Sequence, residues 1–327
     1  GMGLDLSTYE LIVEELSRGW ISISGVVNTH FIGAYLLDKF GNDEQKQKYL
    51  PKMATGEMRA AFSLSEPEVG SDVQGIKTGA KKGDDGKYEI NGQKMWVTNG
   101  LGSSLVFLLV KTDNDVQPAY KGMTCFITEK EPWVSENTGE YAGLVVPPKI
   151  KKMGYKGVES TELVYDGYKC PAENILGEEN GGWGLISVAL ATERHVQFSP
   201  ARVAQDFDDL LVWLTERGLT NDPLVRRRLS ETAVLVAEVE AHALAMLEAV
   251  QDGRDAVVEA AANKLAGSEA AQAVARVAGD LGVPDSVVAG SQIEFLWRQS
   301  ISETIGGGTS EIMRGVIAGQ GLKLPIR

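Results

Sequence analysis

Two polar segments carry the residues best suited to chemistry. Ser63–Asp72 reads Ser-Leu-Ser-Glu-Pro-Glu-Val-Gly-Ser-Asp, and Lys94–Gly100 reads Lys-Met-Trp-Val-Thr-Asn-Gly. The first offers hydroxyl groups and a glycine that permits close backbone approach, whereas the second places Trp96 and Thr98 on one face of a predicted strand. Together they predict the lining of a site for a flat heteroaromatic ligand. The alternative is that Trp96 is a core aromatic residue and that Ser71 only makes a turn.

A third segment lies near the C terminus, where Gly306-Gly307-Gly308 precedes a helix predicted to begin near Thr309 or Ser310. Free backbone N–H groups and the positive end of the helix dipole converge at such a point, which predicts a site for an anion or a carbonyl oxygen. The alternative is a flexible hinge before the terminal helix.

One carboxylate interrupts a long apolar run. Residues 183–191 are mostly apolar, Thr-Glu-Arg-His follows at positions 192–195, and the apolar character resumes at Val196. Nonpolar neighbours would raise the pKa of Glu193 toward neutrality, and a base with such a pKa suits proton abstraction near pH 7. A solvated patch near a bend is the alternative.

These residues must be positioned by elements that the hydrophobic periodicity divides into three parts. Residues 1–57 are predicted as an N-terminal helical domain, residues 58–175 as a middle β-domain and residues 176–327 as a C-terminal helical bundle. This pattern indicates an α+β fold class, and periodicity alone also allows two unrelated domains.

The predicted local structure is as follows. In the N-terminal part we expect a capping box at Ser7 and Glu10, a helix over Ile23–Phe40, and a short helix capped by Asn42 or Asp43 that ends before Pro51. In the middle part we expect strands over 105–110, 123–128 and 162–165, with turns at Asp85-Gly86 and Asn91-Gly92. The predicted C-terminal helices are 182–217, 222–251, 254–281, 292–303 and 310–319.

Composition excludes several classes of function. The 327 residues are 43% hydrophobic, with a net charge of −13 and a pI near 4.9, which disfavours nucleic acid and anionic membranes as partners. Cys125 and Cys170 cannot build a disulfide framework, and the three histidines lack metal-ligand spacing. No signal peptide or membrane span is recognised in the sequence, so a cytoplasmic protein with reduced thiols and no metal is expected.

The three segments together resemble the signatures of the acyl-CoA dehydrogenase family. That family has Ser/Thr-Glu-Pro-x-x-Gly-Ser-Asp, then Trp-x-Thr-Asn-Gly, and Gly308–Ile312 resembles the start of its last helix. The segments stand in the expected order and separation. The resemblance implies N-terminal helices, a β-barrel-like middle domain and a C-terminal bundle. Relative to the family, the opening helices are missing, so residues 1–57 are expected to form an incomplete domain.

The resemblance implies FAD as cofactor. The hydroxyls of Ser65 and Thr98 would lie near the flavin ring, Ser71 near the pyrophosphate, and Trp96 against the ring face. The remaining implied FAD contacts are Phe62, Leu64, Gly70, Arg217, Thr309 and Glu311.

The implied chemistry is removal of the α-proton of an acyl-CoA thioester and hydride transfer from the β-carbon to flavin, which leaves a trans double bond, as in lipid degradation. Glu193 matches the position of the base in the isovaleryl-CoA and long-chain branch, and Glu311 is a second candidate. In other members the base stands where this chain has Gly307. Ser71, Arg194 and Gly308 are the implied substrate contacts.

Two departures leave alternatives open. The family's Arg-x-x-Phe-Gly segment survives only as Arg217, and its Gln-x-x-Gly-Gly-x-Gly segment is replaced at residues 275–283. These losses are similar to a diverged bacterial branch that acts on bulky or branched thioesters. The chain is expected to be a catalytic homo-oligomer (a dimer or tetramer) that passes electrons to an electron-transferring flavoprotein. Alternatively, it is a non-catalytic or half-site subunit that works with a paralogous chain. Flavin chemistry on other substrates, such as nitroalkanes, is a third interpretation.

Overall fold

The computed structural model describes residues 2–197 and 199–325, with the backbone alone at Leu6, residues 191–197 and Asp285. The helices are α1 (Leu6–Gly19), α2 (Ile21–Phe40), α3 (Asp43–Ala54), α4 (Gly182–Gln197), α5 (Pro200–Glu216), α6 (Pro223–Gln251), α7 (Val257–Asp280), α8 (Gln292–Glu303) and α9 (Ser310–Val316). The strands are β1 (Ala60–Ser63), β2 (Gly79–Lys82), β3 (Lys87–Thr98), β4 (Leu105–Lys111), β5 (Met123–Glu129), β6 (Leu144–Val145), β7 (Ser160–Pro171) and β8 (Ile175–Leu176).

Contacts divide the chain into two compact units. The first contains residues 1–3, 25–151 and 157–190, and the second contains residues 4–24, 152–156 and 191–327. The sheet belongs to the first unit and α5 to α9 belong to the second. No helix within the described ranges is both long enough and apolar enough to span a bilayer.

The first unit is organised around one open sheet rather than the expected barrel-like one. Its order is β6-β7-β3-β2-β4-β5-β8, and β1 pairs in parallel with β4 beside the start of β2. The end strands β6 and β8 each have one partner in the described sheet, so the sheet is not closed. Both faces of β4 and β5 are buried. On one side, α2 and α3 pack against these strands through Leu36, Leu37 and Met53.

The N-terminal helices begin differently from two predictions. Asp5 caps α1, because its Oδ1 accepts a hydrogen bond from Thr8 N at 2.7 Å, so the predicted capping box at Ser7 and Glu10 is wrong. Asn42, one of the two predicted caps, begins α3, and it does so in a reciprocal box with Gln45. Pro51 lies inside α3 rather than after it. Proline has no N–H to donate to the preceding turn, and packing of the buried face of α3 compensates for the lost hydrogen bond.

The Asn91-Gly92 pair makes a bulge, not the predicted turn. The register between β3 and β7 shifts between Ile90 and Gly92, and the chain continues in the same strand. Gly92 has φ of +144°, and a Cβ there would lie 2.6 Å from Thr78 Cα, so the site needs glycine. Asp85-Gly86 does form the predicted turn between β2 and β3.

The second unit contains a bundle in which α7 packs against α5, α6, α8 and α9. The predicted helix 182–217 is two helices, because Pro200 begins α5 and cannot donate to the preceding turn. α6 begins after the predicted Asp222 cap and α8 has the predicted bounds. α9 ends at Val316 and gives way to a π-helical turn over Ile317–Gly321.

Candidate active site

The first polar segment forms a loop that begins at the end of β1 and is bonded to β3. β1 runs into this loop from its pairing with β4, and Glu66 and Val69 exchange backbone hydrogen bonds of 2.8 and 3.1 Å. The loop also meets β3, because Met95 N donates to Ser65 O at 2.9 Å. We call residues 64–71 the Ser65 loop.

The second polar segment contains a bulge that exposes its tryptophan. The register of β3 against β7 shifts between Lys94 and Val97, and Trp96 adopts φ of +63° within this shift. Trp96 is 54% exposed, whereas Val97 is buried. The interpretation of Trp96 as a core aromatic is therefore wrong. A non-glycine residue at positive φ is uncommon, and such strain is concentrated at functional sites. We call residues 95–97 the Trp96 bulge.

A buried ion pair joins the Ser65 loop to the strand that carries the Trp96 bulge. Lys94 Nζ donates to Glu66 Oε1 at 3.0 Å and to Leu64 O at 2.9 Å, and both side chains are almost completely buried. Glu66 also accepts from Lys77 N at 2.7 Å and from Thr78 N at 2.9 Å. Burial lowers the pKa of Lys94 to about 8, against the opposing effect of Glu66. Burial by itself would raise the pKa of Glu66, but Lys94 and the two amide donors bring it below its usual value.

The other predicted contacts of the first unit lie around this junction. Phe62 and Leu64 are half-buried and pack against the cluster of Ile76, Leu109, Met123 and Ile186. Gly70 and Ser71 are exposed at the far end of the Ser65 loop, and Thr98 keeps partial exposure beyond the Trp96 bulge. The structure thus joins Ser65 with the strand that carries Trp96 and Thr98, and it places Ser71 at an accessible turn.

In the second unit, the glycine segment is a turn with left-handed backbone. Gly307 and Gly308 have φ of +67° and +94°, so a side chain at position 307 would be strained. Two of the N–H groups that were predicted to be free already have acceptors. Gly306 N donates to Ser302 O, and Ser310 N donates to Thr304 O at 3.1 Å. The predicted helix start is confirmed, because Thr309 Oγ1 caps α9 by accepting from Ile312 N at 3.2 Å.

Glu311 is exposed in the first turn of α9. Hydrogen bonds from its own backbone N–H and from the Thr309 side chain hold the pKa of Glu311 below its usual value. A carboxylate with a lowered pKa is a weaker proton acceptor, which counts against Glu311 as the base.

Arg217 is engaged within its own helix end. Its guanidinium carbon lies 3.9 Å from the centre of the Trp213 ring, and its Nη1 donates to Trp213 O at 3.1 Å. The residue three positions further on is Thr220, so no aromatic side chain stands where the family has one.

The predicted base lies in α4, beyond the part whose side chains are described. The backbone of Glu193 and Arg194 is helical, but their side chains lie outside the described residues. Within the preceding part of α4, Leu185, Ile186 and Ala189 are buried, which confirms the apolar face up to residue 190.

A buried polar chain in the second unit was missed by sequence reasoning. Tyr155 N donates to Gln299 Oε1 at 2.5 Å, Gln299 Nε2 donates to Glu303 Oε1 at 3.1 Å, and Arg202 Nη2 donates to Glu303 Oε2 at 2.5 Å. Arg202 Nη1 also reaches Asp206 Oδ2 at 2.6 Å. Burial raises the pKa of Asp206 to about 6, although Arg202 opposes the shift.

The signal that could have revealed both ion pairs is a charged residue at a position that the periodicity turns inward. Lys94 shares the buried face of β3 with Ile90, and Arg202 lies among the buried positions 201 and 203 of α5. A buried charge requires a partner, so each of these positions predicts one. The sequence does not identify which residue that partner is.

Three family profiles match successive parts of the chain. They are "Acyl-CoA dehydrogenase, N-terminal domain" over residues 1–57, "Acyl-CoA dehydrogenase, middle domain" over 61–168 and "Acyl-CoA dehydrogenase, C-terminal domain" over 180–322.

Among curated proteins, the chain is 31% identical over 97% of its length to the mitochondrial isovaleryl-CoA dehydrogenase of Arabidopsis thaliana, of which it covers 76%. It is 38% identical over 60% of its length to the mitochondrial isovaleryl-CoA dehydrogenase of Pongo abelii, of which it covers 44%. The chain spans about half the length of the first curated relatives it matches.

Among solved structures, the fold matches the acyl-CoA dehydrogenase of Geobacillus kaustophilus with a TM-score of 0.90 at 28% identity. That match covers 98% of this chain and 83% of the bacterial one.

Proposed function

The chain belongs to the acyl-CoA dehydrogenase family, and we propose that it oxidises an acyl-CoA thioester to the trans-2-enoyl thioester with FAD as cofactor. The observation that carries the proposal is the junction of the Ser65 loop with the Trp96 bulge, through the bond of 2.9 Å from Met95 N to Ser65 O. This bond joins the family signature at residues 63–72 to the one at residues 94–100, although the two are separated in sequence.

The residues of this junction fit a flavin ring. An exposed indole on a strained bulge provides a flat apolar surface, and the neighbouring hydroxyls of Ser65 and Thr98 provide donors for polar ring edges. Ser71 and Gly70, exposed at the far end of the loop, suit the phosphates, because a hydroxyl can donate and glycine leaves the backbone accessible. FAD, when bound, accepts the hydride that leaves the β-carbon.

The proton goes to this chain's own carboxylate. In the proposal, Glu193 takes the α-proton, the electron pair of the broken C–H bond forms the new double bond, and the β-hydrogen leaves with its electron pair. The buried face of α4 up to residue 190 supports the apolar run that the sequence predicts before Glu193. Arg194 stays charged, and in the proposal it orients the carboxylate or the substrate.

The glycine turn contributes to the thioester carbonyl. Gly308 has no side chain, so an oxygen can approach its backbone closely where negative charge develops. Gly308 is the proposed contact of the substrate, and the left-handed φ of Gly307 is incompatible with an unstrained glutamate at that position.

A second candidate function is that of a half-site subunit, and the position of Arg217 favours it. Its guanidinium is stacked on Trp213 and bonded to Trp213 O, and Thr220 stands where the family has an aromatic residue. An adenine site built on this segment then needs residues from a different, paralogous chain. In the first candidate the assembly is a homo-oligomer, and in both candidates an electron-transferring flavoprotein accepts the electrons.

The two candidates are separated by flavin uptake. The purified protein is incubated with FAD, desalted and examined for flavin absorbance, and it is then mixed anaerobically with a panel of short branched, long straight and bulky acyl-CoA thioesters. Retained flavin that is bleached by one class supports the catalytic protein and identifies its substrate class. Flavin retained only after a paralogous chain is added supports the half-site subunit, and no flavin in either case contradicts both.

A further inference from the structure

We propose that Glu66 and Lys94 are positioning residues that hold the Ser65 loop and the Trp96 bulge at the spacing that the flavin ring requires. The inference rests on the proposed function, because it assigns a role in cofactor binding to two residues that need not touch the cofactor.

The contacts of Lys94 all point to the Ser65 loop. Its ammonium group donates to Leu64 O at 2.9 Å and to Glu66 Oε1 at 3.0 Å, so it binds the residues on either side of Ser65. Lys94 stands two residues before Trp96 in the same strand. A change in its position therefore moves the bulge and the loop relative to each other.

The contacts of Glu66 close the segment that contains Ser71. Its two carboxylate oxygens accept from the backbone N–H groups of Lys77 at 2.7 Å and Thr78 at 2.9 Å, which lie immediately before β2. Ser71 lies between residue 66 and these amides. One carboxylate thus fixes the start and the end of the segment and, through Lys94, its distance from β3.

The pair is better suited to positioning than to stability alone. Two buried charges pay a large desolvation penalty, and apolar residues of similar size are often as stable or more so. What an ion pair adds is direction, because hydrogen bonds to a charged group are strong only at the correct geometry. Here Lys94, in the strand that carries Trp96, donates to Leu64 O beside Ser65. Glu66 accepts from the Thr78 amide, which ends the segment that contains Ser71.

A matched control lies directly after β5. Lys130 is also almost completely buried, and its ammonium group donates to the carbonyl oxygens of Leu101, Ser103 and Glu131 at 2.8 to 3.0 Å. These acceptors lie outside the Ser65 loop. Lys130→Met therefore removes a buried, bonded lysine without touching the proposed junction.

The test compares Lys94→Met, Lys130→Met and the double variant Glu66→Gln/Lys94→Met. For each variant, the FAD dissociation constant is measured by flavin fluorescence, thermal stability is measured without flavin, and hydrogen exchange is followed at the Met95 amide. We expect Lys94→Met to raise the FAD dissociation constant by about 10- to 100-fold, the range expected for losing a hydrogen bond to a charged group. Exchange at Met95 should accelerate, because its acceptor is Ser65 O.

The double variant separates positioning from stability. Removing the carboxylate charge as well as the lysine relieves the buried unpaired charge, so we expect thermal stability to recover relative to Lys94→Met while FAD affinity stays low. Lys130→Met should lose stability with an unchanged FAD dissociation constant. If Lys94→Met fails to fold, Glu66→Gln alone serves the same comparison, because it keeps an oxygen acceptor and removes the charge.

Each remaining result contradicts the inference. Wild-type affinity in Lys94→Met, recovery of both stability and affinity in the double variant, or an equal loss of affinity in Lys130→Met would show that the pair is only structural, and the proposed function would stand. A wild-type protein that binds no FAD, alone or with a paralogous chain, would remove the proposed function together with the inference.

Discussion

Arg202 Nη2 and Glu303 Oε2 lie 2.5 Å apart, and the two side chains are 6% and 4% exposed. This pair joins the first turn of α5 to the last turn of α8, shortly before the glycine turn at residues 306–308. Asp206 lies on the other side of the same guanidinium, so one cation serves one buried and one half-buried carboxylate.

Arg202→Met should strongly destabilise the second unit. It leaves the buried Glu303 and the half-buried Asp206 without their cation, and breaking a buried pair costs about 3–5 kcal/mol of unfolding free energy. Urea denaturation provides the measurement. Arg227→Met is the control, since the pair of Arg227 with Glu231 is exposed and such surface pairs contribute little. Equal effects of the two substitutions would contradict the importance of burial.

Glu10→Gln should stabilise the protein at pH 9 more than at pH 5. Burial, assisted by Glu14, raises the pKa of Glu10 from 4.5 to about 8. The folded protein therefore keeps a proton that the unfolded chain releases, so the stability linked to this group is complete below pH 4.5 and is lost as the pH rises through 8. Glutamine stays neutral and avoids that loss, on the order of 1–3 kcal/mol.

This pH dependence can be measured as the difference in unfolding free energy between variant and wild type at the two pH values. Glu15→Gln on the same helix is the control, because the Glu15 side chain is 71% exposed. A difference that does not grow between pH 5 and pH 9 would show that Glu10 titrates normally.

Glu193→Gln should reduce turnover by about 10²- to 10⁴-fold while FAD affinity and fold are retained, because the amide cannot accept the α-proton. Anaerobic flavin bleaching by the preferred acyl-CoA gives the rate. Glu311→Gln should reduce the rate far less, since that carboxylate is exposed and its pKa is lowered. A reversed order of the two variants would transfer the role of base to Glu311.

Trp96→Gly should weaken FAD binding without destabilising the apoprotein. Glycine adopts the φ of +63° at this position without strain, and the indole that it replaces is already half-exposed. Trp133→Gly is the matched control, because Trp133 has φ of +65° and is 60% exposed, and its ring lies under Arg59. FAD titration and thermal denaturation of both variants provide the measurements, and equal loss of FAD affinity would show that Trp96 has no special role.

Local signals in the sequence predicted much of the fold. Asn42 before α3, Asp222 before Pro223 and the β-rich apolar run over residues 105–110 each act over a few residues, so the sequence carries them directly. Pro51 and the Asn91-Gly92 pair misled for one common reason. Proline normally ends a helix, but the buried face of α3 keeps the helix going past Pro51. Asn-Gly normally makes a turn, but the close approach of Thr78 accommodates Gly92 within a continuous strand.

The candidate site was predictable in residue type but not in geometry. The signatures indicated Ser65, Trp96 and Thr98 together, whereas the left-handed conformation of Trp96 depends on a register shift against β7 that no single segment encodes. The pairing of Lys94 with Glu66 likewise depends on the fold, because Leu64 and Thr78 approach these side chains only when β1 and β2 lie beside β4 and β3.

β1 and β2 use the same side of β4, with Ser63 opposite Leu108 and Gly79 opposite Lys111. The intervening residues 64–78 therefore leave and rejoin one strand at points three residues apart, a span of about 10 Å. β4 therefore sets both endpoints of the segment, while Glu66 ties its interior to Lys94 of β3. An insertion would disturb the sheet least at the exposed positions Pro67 and Glu68, so these are the positions at which the segment can lengthen during evolution or design.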